Sequence, residues 1–327
     1  MSRMRFLTFL LALVVLSPLP GAAQPAPADS PEARAVTYLS KEVPKWHTTN
    51  SCYSCHNNGD GARALLMASH RGYDVGPSLE TSLAFLRAPD TWATTKVQIE
   101  ANRPLGRVSY TAALAMAGER DAAPARALVQ AATLIIGDQQ ADGSWSPYPA
   151  HTDATPVTYG PALATWLARS TLIAAGREPD DFAVAQTDRW LRTYEVVHTA
   201  DAAGVLLAMN VTSDVMADRQ RAVSLSILRR AQGADGGWGP SADAPATVFH
   251  SAIAVLALQQ YVSDPRLARS TYRPEELRDA LDRGRRWLAA QQLPDGSWTE
   301  TMREAGKKSY AQKISTTSWA LMALLSK

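Results

Sequence analysis

The chain has 327 residues, 46% of them hydrophobic and 20% charged, with a formal net charge of +2 at pH 7. That balance lacks the basic surplus that nucleic acid or an anionic membrane surface would select, so neither is an expected partner. The length allows one large core or two domains.

Arg3 and Arg5 precede an apolar run over residues 6–16, broken only by Thr8 and followed by small residues at Gly21, Ala22 and Ala23. This pattern predicts a secretory signal peptide over residues 1–23, cut near Ala23 and too short to span a bilayer. The expected address is periplasmic or secreted. Losing the leader removes two arginines and no acid, which takes the formal charge to zero. Residues 24–30, rich in Pro and Ala, read as a disordered tether. No later apolar run is long enough to cross a membrane.

After the first amphipathic stretch comes Cys52-Tyr53-Ser54-Cys55-His56, which holds both cysteines of the chain. C-x-x-C-H is the attachment sequence of c-type haem: two thiols bond the porphyrin vinyl groups and His56 ligates the iron on the proximal side. Haem c is attached outside the bacterial cytoplasm, so the leader and the motif support each other. Other chemistries stay open for the pair: a reversible redox couple, a structural disulfide, or half of a zinc site. Zinc would need ligands from histidine or carboxylate, and a thioredoxin-like pair would need a βαβ context.

From residue 31 the pattern predicts six helix pairs in a single domain over 31–327. First members, amphipathic and charged, cover 31–43, 78–87, 122–140, 181–194, 215–232 and 274–292. On the last of these Leu281, Trp287 and Leu288 make one dry face, while Arg278, Asp279, Asp282, Arg283, Arg285 and Arg286 stay wet. Second members, apolar nearly all round, cover 60–71, 106–118, 158–176, 199–210, 246–261 and 314–326. Polar-faced helices outside apolar ones predict a closed double ring, an all-α (α/α)6 toroid.

Three segments between paired helices are self-similar, running from Gln139 to Trp145, from Gln232 to Trp238 and from Gln292 to Trp298, each with an Asp-Gly turn. Trp46 and Trp92 are expected at the same place in the first two pairs, and the fourth pair lacks the tryptophan. With their Q-x-x-x-G-x-W spacing these segments resemble the α/α-toroid of squalene and terpene cyclases and of protein prenyltransferase β subunits, over about residues 31–327. The resemblance implies the ring and an apolar central cavity, which Tyr110, Tyr159, Tyr261 and Phe249 would line, and not a catalytic set. The D-x-D-D acid motif of the cyclases is absent, and Glu178-Pro179-Asp180-Asp181 reads as a helix cap. The Asp, Cys and His zinc ligands of the prenyltransferases have no match, since both cysteines lie in the first pair.

Connections from first to second members share one end of such a ring. That end should gather His47, His56, His151, His198 and His250, leaving His70 at the other. A second axial or distal haem ligand is therefore expected among His198, His151, His47 and His250, with Met67, Met116 and Met209 as weaker alternatives. Thr152, Asp153, Thr199 and Asp201 also read as helix caps, and the His/Asp pairs of neighbouring repeats as a divalent-metal site.

The expected function is a periplasmic haem c redox protein. It would relay electrons with a periplasmic partner, or act oxidatively on an apolar small molecule in the cavity. The alternative is a non-redox terpenoid- or lipid-binding, cyclase-like or prenyltransferase-like protein with a structural haem or metal at the C-x-x-C-H.

Overall fold

The computed structural model describes residues 27, 29–50, 53–92, 103–118, 124–145, 154–209, 214–264, 273–301 and 308–327. The leader, Cys52 and His151 lie outside the described residues. The described residues form twelve α-helices: α1 (Pro31–Asn50), α2 (Ala62–His70), α3 (Glu80–Leu86), α4 (Arg103–Gly118), α5 (Pro124–Gly137), α6 (Pro161–Ala174), α7 (Phe182–Thr193), α8 (Thr199–Met209), α9 (Val215–Ala231), α10 (Val248–Val262), α11 (Pro274–Ala290) and α12 (Tyr310–Leu325). None of them is long and apolar enough to cross a membrane.

The even-numbered helices pack in sequence, α2 on α4, α4 on α6 and so on to α12, which packs back on α2 and closes an inner ring. Their apolar composition demands this, because a helix with no wet face must be covered on every side. α8 is buried over its whole length, and α12 from Ile314 to Leu325. Odd-numbered helices lie outside: α5 packs on α4, α7 on α6, α9 on α8, α11 on α10 and α1 on α12, each against the inner helix before it, while α3 packs on α4, the inner helix after it. The all-α toroid expected from the sequence is the fold observed.

The repeated segments are staples between consecutive pairs. Gln139 Nε2 donates to Gly143 O (3.1 Å) and to Ala183 O at the start of α7 (3.0 Å). Gln232 Nε2 donates to Gly236 O and to Ala280 O on α11, and Gln292 Nε2 to Gly296 O and to Pro31 O on α1, so the third staple joins the last pair to the first. Each tryptophan turns back under its own outer helix. Trp145, Trp238 and Trp298 donate Nε1–H to Ile135 O, Leu228 O and Leu288 O over 2.6–2.7 Å. Gly296 has φ +85°, and a Cβ there would stand 2.4 Å from Arg34 O, so the turn and the contact with α1 both require glycine.

Three local expectations need correction. α1 runs to Asn50 through Pro44, not to residue 43, so Trp46 and His47 sit on its last turns. Trp46 stacks on Tyr310 instead of stapling two pairs. Ser30, read as tether, accepts from Ala33 N–H (3.1 Å) and starts α1. The fourth pair replaces its missing tryptophan with Tyr194, which donates to Asp201 Oδ1 (2.9 Å), and with Thr199, which donates to Gly239 O (2.7 Å).

Candidate functional site

The C-x-x-C-H runs straight into an inner helix. Cys55–Gly61 forms a π-helical segment that continues into α2. Ser54 opens it: its Oγ accepts from Asn57 N–H (3.2 Å), and its own N–H donates to Asn58 Oδ1 (3.0 Å). Asn57 Nδ2 then donates to Val43 O on α1 (3.3 Å), and Asn58 Nδ2 to Ser82 Oγ on α3 (3.1 Å). Gly59 lets the wide turn lie against α4, since a Cβ there would stand 1.9 Å from Ser109 Oγ. Isolated π turns are rare and recur at functional sites.

Cys55 and His56 are half-buried on this segment. Burial, helped by the charge of Asp60, pushes the Cys55 thiol up to about 12. Burial pulls His56 down to about 4, and its Nδ1 is buried without a hydrogen-bond partner. At neutral pH the pair is therefore an un-ionised thiol beside a neutral imidazole. These surroundings prepare neither a reactive thiolate nor a zinc thiolate, both of which need the proton lost. They suit a thiol that forms a thioether and an imidazole free to ligate, so the residues present fit a tethered porphyrin.

His47 reaches the same loop. Its ring stacks on Tyr53 (centroids 4.4 Å apart), Tyr53 stacks on Phe85 (3.9 Å), and Phe85 meets Trp92 and Tyr110. His47 Nδ1 is also buried and unpartnered. His198, in the bend just before α8, stands near His250 on α10. His250 Nδ1 pairs with Thr247 Oγ1 (2.8 Å), its Nε2 is buried without a partner, and burial with the nearby His198 pulls it down to about 3. His198 lies 3.6 Å from Asp201, whose Oδ2 accepts from the backbone N–H of Val197 and His198, so Asp201 acts as the expected cap. Asp181 likewise caps α7 by accepting from Ala183 N–H. Among the described residues no three His, Cys, Asp or Glu side chains are arranged to hold a metal, and His151 and Asp153 lie outside them.

The sequence reading missed Asp60. It is fully buried where the π-helical segment meets α2. Tyr159 Oη, ahead of α6, donates to its Oδ1 (2.6 Å) and lies 2.9 Å from Ser109 Oγ on α4. Ser315 Oγ on α12 donates to Oδ2, and Arg63 Nη1 lies 3.6 Å away. Burial pushes Asp60 up to about 6, against the pull of Arg63, Ser315, Tyr159 and the Trp319 indole. Ser109 Oγ also donates to Cys55 O (3.3 Å), which ties this cluster to the C-x-x-C-H backbone.

The aromatic residues expected to line a cavity pack together instead. Tyr159 and Phe249 both meet Trp319 edge-on at 5.8 and 5.7 Å, and Tyr110 packs against Phe85 and Trp92. Tyr261 is buried as well. Among the described residues, open volume is found elsewhere, including a cleft between α4 and α6.

No family model matches the chain, and no curated protein does. Solved structures match over almost its whole length at low identity. An unsaturated glucuronyl hydrolase from Bacillus sp. GL1 is 12% identical, with 90% of this chain and 96% of that one covered and a TM-score of 0.61. A glucuronyl hydrolase variant from Streptococcus agalactiae is 12% identical, with 90% of each chain covered and a TM-score of 0.59. A type II terpene cyclase from Scytonema, solved with geranylgeranyl dihydroxybenzoate, is 14% identical, with 90% and 97% covered and a TM-score of 0.56. These likenesses establish the toroid, and a shared toroid leaves the chemistry open.

Proposed function

We propose that this is a periplasmic or secreted haem c protein in which an (α/α)6 toroid carries the porphyrin at the entrance to its first inner helix. The reading rests on one observation above all: a C-x-x-C-H whose His56, at the entrance to the first inner helix, has a buried Nδ1 without a hydrogen-bond partner. Cys52 and Cys55 would tether the group and His56 would ligate on the proximal side. His47, stacked on Tyr53 with its own orphaned nitrogen, is the best placed of the expected second ligands. When bound, the iron supplies one-electron redox chemistry, used for relay to a periplasmic partner or for oxidation of an apolar small molecule. Asp60, whose hydroxyl partners favour its ionised form while burial favours the neutral one, sets the charge behind the loop.

The test is the intact mass and pyridine haemochrome spectrum of the full chain, produced in a host with cytochrome c maturation machinery. One covalent haem per chain is expected. A colourless protein with the mass of the bare polypeptide overturns the reading.

A second reading is favoured by Asp60 itself. A buried carboxyl raised to about 6 is suited to give up a proton near neutral pH, and the ring is similar to that of a terpene cyclase. On this reading the protein is a non-redox cyclase-like catalyst or terpenoid-binding protein with a structural haem. It requires turnover of a polyprenyl substrate without a redox partner, lost in Asp60→Asn.

A further inference from the structure

A cleft of about 480 Å3 runs inward between the C-terminal halves of α4 and α6 and ends at Arg63. That volume falls within the roughly 300–1,000 Å3 of small-molecule sites. Ala112, Ala115, Met116, Trp166 and Leu167 make its walls apolar. Ser170 and Ala174, at its rim, are exposed.

Arg63 is the exception in this lining. Its side chain is only 6% exposed, and Nη1 has no hydrogen-bond partner. Asp60 lies 3.6 Å from that nitrogen, outside hydrogen-bond length, and the Trp319 ring lies 4.9 Å from the guanidinium carbon. Asp60 is shared among Tyr159, Ser315 and Arg63, so it compensates the guanidinium only in part. The ion pair with Asp60 leaves Nη1 without a hydrogen bond, and the geometry offers one route by which the guanidinium could gain a further partner: an anion arriving through the cleft.

We propose that this cleft binds an apolar molecule ending in a single carboxylate or phosphate, with the head group on Arg63 and the chain against Met116, Trp166 and Leu167. The cleft ends at the Arg63–Asp60 pair, which Tyr159 and Ser109 link to the C-x-x-C-H backbone, and the proposal requires no porphyrin there.

Isothermal titration of the full chain with decanoate, decyl phosphate and decanol tests it. At least one of the two anions should saturate a single site, and bind about tenfold or more tighter than decanol, a difference of about 1.4 kcal/mol. The tighter anion identifies the head group. Ser170→Trp, an exposed rim position, should weaken that anion by about tenfold or more at an unchanged melting temperature, by filling the entrance. Arg63→Met should erase the preference for anion over alcohol. Equal binding of decanol and the anions, no saturable binding of either anion by folded protein, or unaltered binding in folded Ser170→Trp would each overturn the proposal.

Discussion

Tyr159 donates a 2.6 Å hydrogen bond to Asp60 from a left-handed backbone position, φ +56°, that side-chain-bearing residues seldom adopt. Tyr159 N–H is held by Thr155 O (2.8 Å), and the helix α6 starts two residues later at Pro161. The entrance to the third helix pair is thus fastened to the first by one phenol. The cost of the backbone conformation, of the order of 1 kcal/mol, is met by a bond to a buried carboxyl.

Tyr159→Phe should therefore destabilise the fold by about 1–3 kcal/mol, because Asp60 keeps its burial and loses a donor. Denaturant unfolding at neutral pH measures it. A loss smaller than about 0.5 kcal/mol would mean that the hydroxyl carries little of the link.

The pH dependence follows from the sign of the Asp60 shift. Its folded pKa, about 6, is above the ordinary 3.8, so the folded state holds the proton more tightly than the unfolded chain. Its contribution to stability is fully present below about pH 3.8 and lost as pH rises through 6. Asp60→Asn cannot ionise. Relative to the wild type, it should gain stability between pH 4 and pH 7 by up to about 3 kcal/mol. Parallel unfolding curves at those two pH values test this, and a constant difference between the proteins would contradict it.

His250 works in the opposite direction. Its folded pKa of about 3 is below the ordinary 6.5, so its stabilising effect is present above 6.5 and lost as pH falls toward 3. His250→Gln should flatten the loss of stability on acidification from pH 6.5 to 4. An unchanged acid limb would remove His250 from the account.

For the haem-loaded protein, His47→Ala should convert a six-coordinate low-spin spectrum to a five-coordinate one that takes up carbon monoxide, with the haem still covalently bound. An unaltered spectrum would pass the second ligand to another histidine or a methionine.

The ring-closing turn can be tested with two glycines of similar backbone conformation. Gly296 has φ +85° and Gly72 φ +86°, but a Cβ at Gly72 meets nothing within 4 Å, whereas one at Gly296 strikes Arg34 O. Gly72→Ala should cost about 1 kcal/mol and Gly296→Ala about 2–4 kcal/mol, the excess being the clash with α1. Equal costs would show that the first and last pairs are not tightly joined there.

The helices were legible because inner and outer members differ in how much of their surface is apolar, and the Q-x-x-x-G-x-W spacing repeats the staple itself. Asp60, Ser109, Tyr159 and Ser315 were not legible as a site. They are common residues from four different helix pairs, and an acid at the head of an apolar helix reads locally as a cap. The available signal was that Asp60 opens a helix apolar enough to be buried on both sides. The π-helical segment leaves no periodicity in seven residues. The end of α1 was misplaced because Pro44 reads as a stop, while the helix carries it internally.

Ser315, the donor to Asp60 Oδ2, lies 255 positions further along the chain, and Gln292 supplies the link to Pro31. A nascent polypeptide therefore cannot seal the start of its first inner helix until nearly all of it has been delivered. Cys55 and His56 are accordingly made long before Ser315 can close over the neighbouring Asp60, an interval that the proposed attachment of a haem could use.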